Sequence, residues 1–155
     1  MTVFLFYDGA AAREITEHDF GYRHSIYGAH PEWLVLGASF RLEPGQTGAI
    51  SARMEEYAAA RKAKQPLELP SAGSFFKRPP GHFAGALIER CGLKGYAIGG
   101  AMVSPKHAGF IVNTGGAACR DILALAGHIH STVLRETGAA LYPEVRLLGD
   151  ISWSF

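Results

Sequence analysis

The stretch PSAGSFFKRPPGHFAG, Pro70 to Gly85, gathers one hydroxyl, two aromatic rings and two cations between glycines and prolines. Gly73 frees the backbone to turn, so the Ser74 hydroxyl can project from a loop. Phe75 and Phe76 can anchor that loop in a core and keep water away, while Lys77 and Arg78 place positive charge beside the hydroxyl. Such a group suits an anionic ligand, with Ser74 as hydrogen-bond or proton donor. The same residues also fit an ordinary serine in a turn. No GxSxG elbow surrounds Ser74, so hydrolase chemistry is unsupported. Gly and Pro interrupt the stretch so often that it reads as neither helix nor strand.

Glu144 sits in YPEVRLLG among apolar residues. A carboxylate there faces solvent, pairs with Arg146, or enters a site. Tyr22 and Arg23, in FGYRHS, offer a phenol and a guanidinium to a phosphate, or plain packing and a surface charge. The histidines show no metal-ligand spacing: His128 and His130 are two apart on a helix, and His18, His24, His30 and His107 are scattered through loops. Gly99-Gly100 and Gly115-Gly116 belong to no dinucleotide-binding or Walker pattern.

The 155 residues suit one domain, or one domain and part of another. Hydrophobic residues make up 48% and charged residues 19%, enough for a sizeable core. A net charge of +1 gives no basic field for nucleic acid, and Arg61, Lys62 and Lys64 are too few for a nucleic-acid arm. No apolar run reaches the roughly 18–20 residues of a membrane span, and MTVFLFYDG lacks the marks of a signal peptide. Cys91 and Cys119 fall in predicted helices without CxxC spacing, which reads as buried, reduced thiols of a cytoplasmic protein.

Two strands around a turn at Asp8-Gly9 and a strand over PEWLVLGASFRLEPG come first, with HDFGYRHSIYGAH between them as a loop. A helix follows from Thr47 to Pro66, with Ile50, Met54, Tyr57 and Arg61 at helical spacing. HFAGALIERC predicts a second helix ended by Gly92. YAIGGAMVS and AGFIVNTG predict one strand each. The clearest helix is AACRDILALAGHIHSTVLRET, with Ile122, Leu125, Ile129 and Val133 on one face and Gly138 just past its end. ALYPEVRLLG closes as a strand in which Pro143 marks an edge or a start. The expected class is α+β, a mixed or antiparallel sheet with helices packed on one face.

The segments FGYRHS, AARKAKQP, SAGSFFKRPPGHFAGALIERCGLKGYAIGGAMVSPKHAGFIVN and YPEVRLLG, in that order, resemble the UDP-N-acetylenolpyruvoylglucosamine reductase family, over about residue 3 to Gly149. The resemblance implies reduction of the enolpyruvyl ether of a UDP-sugar to UDP-N-acetylmuramate in peptidoglycan precursor synthesis, with FAD and NADPH in the intact enzyme. It makes Ser74 the proton donor and Glu144 a stabiliser of the charged intermediate. It marks Tyr22, Arg23, Lys64 and Lys77 as substrate contacts, His107 as a further polar one, and Arg61 as a cofactor contact. Arg78 stands where the family often has Asn.

By the same resemblance, residues 1–43 are the end of a truncated FAD-binding domain, 44–149 the substrate-binding domain and 150–155 a tail. The glycine-rich segments that cradle FAD are not among these residues, so neither FAD nor NADPH is expected on this chain alone. The expected partners are the UDP-sugar and the flavin-binding half, with neither nucleic acid nor membrane. The alternative is a non-catalytic module that holds UDP-sugars or pairs with a protein. Open strand edges within residues 1–43, including VFLFY, predict a homodimer through that region.

Overall fold

A computed structural model of the chain describes residues 2–21, 24–153 and 155, with 2 and 3 through their backbone alone. Two compact units divide it, residues 1–50 and 51–155.

In the first unit, β1 (Thr2–Tyr7) pairs antiparallel with β2 (Ala12–Ile15) and β3 (Leu34–Phe40), in the order β2-β1-β3. The Asp8 carboxylate closes the first turn by accepting the Ala10 and Ala11 N–H groups, each at 2.9 Å. Period-two alternation sends Phe4 and Phe6 to one face. Phe4 meets the rings of His18, Phe20, Tyr27 and Phe40, and Phe6 is buried against Trp33. Leu5, Tyr7 and Leu34 are exposed. The segment read as a loop contains one helical turn, α1 (Ile26–Ala29), too short to show a period in the sequence.

The long helix α2 (Thr47–Lys64) stands within the bounds read from the sequence. Its apolar spacing buries nothing: Ile50, Met54 and Tyr57 are all exposed.

The second unit holds β4 (Ser71–Ser74), α3 (Ala84–Arg90), β5 (Ala97–Ile98), β6 (Ala101–Val103), β7 (Phe110–Asn113) and α4 (Cys119–Thr137). The sheet order is β4-β7-β6-β5, antiparallel throughout. Helix α4 packs on β5 and β6, and α3 packs on α4, as the α+β reading expects. Leu125, Ile129 and Val133 are fully buried with Ile88, Val103 and Leu141, while Ile122 is partly buried.

Several sequence readings need correction. SAGS, read as no strand, is β4, because its backbone pairs with β7 despite a bulge between Ser71 and Ser74. YAIGGAMVS is not one strand but the β5–β6 hairpin, turned at Gly99-Gly100. A Cβ on Gly100 would lie 2.5 Å from the Ala117 nitrogen, so the turn fits only without a side chain. The closing segment ALYPEVRLLG, residues 140–149, makes a single bridge, Phe76 with Pro143, rather than a strand. The cysteines are not both buried. Cys91 caps α3 half-buried, and Cys119 opens α4 exposed, because the core face of α4 begins one turn later. In the terminal hexapeptide, Trp153 and Phe155 pack against the core. Among the described residues no helix is long and apolar enough to cross a membrane.

The start of α4 depends on Asp121. Ala118 at the N-cap has no side-chain oxygen to offer, and the Asp121 carboxylate accepts the Ala118 N–H at 3.0 Å and the Gly100 N–H at 3.4 Å. Those donors, Ala118 first and Gly100 second, hold its carboxyl below the usual value of 3.8. One side chain therefore ties the β5–β6 turn to the helix. A lowered folded-state pKa stabilises above the unfolded pKa and loses that stabilisation as pH falls through the folded value. Asp121→Ala should lower the thermal midpoint by a few degrees at neutral pH, and the gap to wild type should narrow as pH falls below 3.8. Thermal melts followed by circular dichroism at several pH values check both expectations.

Candidate functional site

The second unit brings together three segments that are far apart in sequence. Residues 74–77 form the middle. On one side Ser74 pairs with Phe110 of β7, and the Phe75 N–H donates to the Gly109 carbonyl at 2.8 Å. On the other side the Lys77 N–H donates to the Tyr142 carbonyl at 2.8 Å and the Glu144 N–H to the Phe75 carbonyl at 2.9 Å. These two bonds flank the Phe76–Pro143 bridge, so Pro143 falls at a position that needs no N–H donor. Ser74, Lys77, His107 and Glu144 are thereby carried on neighbouring backbone segments.

The middle segment is held from below by its rings. Phe75, 2% exposed, meets Phe76 edge-on at 5.1 Å and Trp153 edge-on at 5.8 Å. Ser74 and Lys77 on either side of this pair are exposed. The Ser74 hydroxyl makes no hydrogen bond among the described residues. Neither Lys77 nor Arg78 has an acidic partner among them. Among the described residues the result is a hydroxyl without a hydrogen-bond partner and, three and four residues along the same backbone, two cations without an acidic partner, a combination that favours an anion. Beside Phe75 lies a mostly apolar cavity of about 390 Å³, lined by Ser71, Ala72, Ile122, Val145 and Trp153 among others.

His107 has a second task. Its Nδ1 accepts the Gly109 N–H at 3.0 Å, and its ring lies edge-on to Phe110 at 5.0 Å. With Nδ1 accepting, the neutral ring carries its proton on Nε2, which is then the atom able to donate to a ligand. Glu144 is exposed on the segment beside Phe75.

Lys64 and Arg61 are not drawn into this group. Lys64 ends α2 exposed, and Arg61 donates its Nε to Gln65 Oε1 at 3.1 Å on the same helix. Tyr22 and Arg23 lie outside the described residues. Their neighbours Gly21 and His24 line a cleft of about 470 Å³ with Phe20, Ser25 and Gly28, within the first unit. Among the described residues no group of three or more His, Cys, Asp or Glu side chains could hold a metal ion. Arg61 stands in the last turns of an exposed helix, where the backbone N–H groups are engaged within the helix and are not free to meet a flavin's pyrophosphate.

Sequence reasoning missed two residues at this site. Trp153 lay in a segment set aside as a tail, and Phe83 gave no sign of its tie to Arg78, since only the turn between them makes the contact.

Comparison with known proteins gives these segments a context. The sequence model for "UDP-N-acetylenolpyruvoylglucosamine reductase, C-terminal domain" matches residues 65–148, more than half of the chain. Proteins named UDP-N-acetylenolpyruvoylglucosamine reductase are similar to it: one from Pediococcus pentosaceus is 50% identical over 134 residues, and one from Caldanaerobacter subterraneus 52% over 134. Each alignment covers 86% of this chain and 44% of the relative, so the chain spans less than half the length of these relatives. The crystal structure of the Thermus caldophilus reductase superposes with a TM-score of 0.70 at 38% identity, over 90% of this chain and 50% of that one. Residues 74–77, 107–110 and 142–144 all fall inside the matched region. The chain therefore belongs to the UDP-N-acetylenolpyruvoylglucosamine reductase family, of which its residues 65–148 form the C-terminal domain.

Proposed function

We propose that this chain is the substrate-binding portion of a reductase that converts UDP-N-acetylglucosamine enolpyruvate to UDP-N-acetylmuramate, using FAD and NADPH in the intact enzyme. The observation that carries the reading is that Ser74, without a hydrogen-bond partner among the described residues, shares a segment with Lys77 and Arg78 and that this segment pairs with the one carrying Glu144, in a chain of this family.

The flavin, when bound, supplies hydride. The residues here do the rest. Reducing the enolpyruvyl double bond leaves the carbon next to the carboxylate in need of a proton. Ser74 Oγ–H donates it, and the Lys77 charge eases the transient alkoxide until solvent restores the proton. Phe75 and Phe76, buried beneath, hold the hydroxyl in one place so that delivery is directional. Glu144, carried beside Phe75, stabilises the charge that builds on the substrate carboxylate. Lys64, Tyr22 and Arg23 bind the diphosphate, with Lys77 and the Nε2–H of His107 as further contacts. Arg61 serves the cofactor in the assembled enzyme.

Calorimetric titration of the chain with UDP-N-acetylglucosamine enolpyruvate tests this reading. Lys64→Ala should weaken binding about 10–100-fold, the loss of one charged hydrogen bond. Ser74→Ala should leave affinity within about twofold, because its proton is used only in the chemical step. Absence of binding, or a Ser74→Ala loss as large as that of Lys64→Ala, would overturn it. The purified chain should be colourless and should leave NADPH unoxidised; a flavin absorbance band would contradict this.

Residues 1–43 are further proposed to pair with a second copy. VFLFY offers no open edge, because β1 is paired on both sides, but among the described residues the outer edges of β2 and β3 have no strand neighbour, and Leu34, Val35, Leu36 and Phe40 are exposed on β3. Light scattering should show a concentration-dependent dimer, and a monomer at high concentration would refute the pairing.

A further inference from the structure

Arg78 is the cation of the site whose geometry is most fully set. Pro79 and Pro80 follow it, and the Pro79 carbonyl accepts the His82 N–H at 3.2 Å. Pro80 presets φ at the second position of this turn, and Gly81 takes φ +72° at the third, the combination a type II turn needs. The turn folds the chain back, so that Arg78 Nε donates to the His82 carbonyl at 3.3 Å and its Cζ lies 4.0 Å above the centre of the Phe83 ring.

Phe83 is otherwise hard to explain. It sits at the N-cap of α3, where its carbonyl accepts the Leu87 N–H at 3.1 Å. The helix buries Ala84, Leu87 and Ile88, yet Phe83 itself is 62% exposed. Its ring contributes nothing to the core, and the Arg78 guanidinium is its one ring partner among the described residues.

A free arginine samples many rotamers and loses them on binding a ligand. Here one edge of the guanidinium is tied to a carbonyl and one face rests on a ring. Its two terminal nitrogens make no bond among the described residues. That outer fork matches paired oxygens of a phosphate, and Lys77 stands next to it without an acidic partner.

We propose that Phe83 is a positioning residue that holds Arg78 as a preformed fork for the diphosphate of the nucleotide-sugar. The proposal rests on the substrate reading above and deepens it. Phe83 does not touch the ligand. It acts through the arginine, by supplying a π face that keeps the guanidinium in place.

The test is calorimetric titration of the whole chain with UDP, for wild type, Phe83→Leu, Phe83→Tyr, Arg78→Ala and the Phe83→Leu/Arg78→Ala double variant. Phe83→Leu should weaken binding about two- to fivefold, the factor expected for an exposed cation–π contact. Phe83→Tyr should rescue it, since the face is kept. In the Arg78→Ala background Phe83→Leu should change nothing further, because the two act as one unit. Equal affinity of wild type and Phe83→Leu would overturn this proposal and leave the substrate reading standing. So would an undiminished Phe83→Leu effect without Arg78, which would mean that the ring meets the ligand itself. A wild-type chain that fails to bind UDP would overturn both. The exposure of Phe83 makes all five proteins comparable in fold, which melting curves verify.

Discussion

The antiparallel pairing of residues 75–77 with 142–144 is the constraint on which the site depends. Its two backbone hydrogen bonds contribute about 0.5–1.5 kcal/mol each in net terms. Closing a flexible loop of about 70 residues costs on the order of 4 kcal/mol, so those bonds alone do not hold the segments together. Burial does. Phe75 and Phe76 within the pairing and Leu141 beside it are almost wholly removed from water, at about 1.5–3 kcal/mol each. The two rings after Ser74 thus have a structural meaning that explains their place beside the chemistry. They make the serine's backbone rigid while leaving its hydroxyl outside.

The same economy of position recurs nearby. Pro143 sits between the two hydrogen-bonded residues of its segment, where a missing N–H is harmless. His107 is held by Gly109, and Gly109 in turn receives Phe75, so a histidine able to face a ligand also braces the strand that carries Ser74. Asp121 joins the β5–β6 turn to α4 with one carboxylate. The candidate site is therefore the exposed rim of a sheet whose support comes from buried residues immediately adjacent in sequence.

Much of this was legible beforehand, for reasons that lie in local periodicity. Helix α4 follows from Ile122, Leu125, Ile129 and Val133 at helical spacing, and its end follows from Gly138. The β1–β2 hairpin follows from an apolar run broken at Asp8-Gly9. What was misread had weak local signals. Strand β4 is SAGS, four small residues that are strand only because β7 lies alongside. The β5–β6 hairpin is too short for alternation to show. Helix α2 has the spacing of a buried face and buries none of it, since periodicity records which residues share a side and not what covers that side.

By itself the sequence named the candidates, Ser74, Glu144, Tyr22, Arg23, Lys64, Lys77, His107 and Arg61, along with the helices that follow from period and caps. Through the order of its motifs it also determined the family. Only the tertiary structure decided that Ser74 and Glu144 ride on paired backbones, that His107 lends its Nδ1 to the fold, and that Arg78 rests on Phe83. The physical reason is range. Propensity, capping and periodicity act over a few residues along the chain, whereas a site is made by cross-strand hydrogen bonds and ring contacts between segments that only a common buried core can bring within a few ångströms.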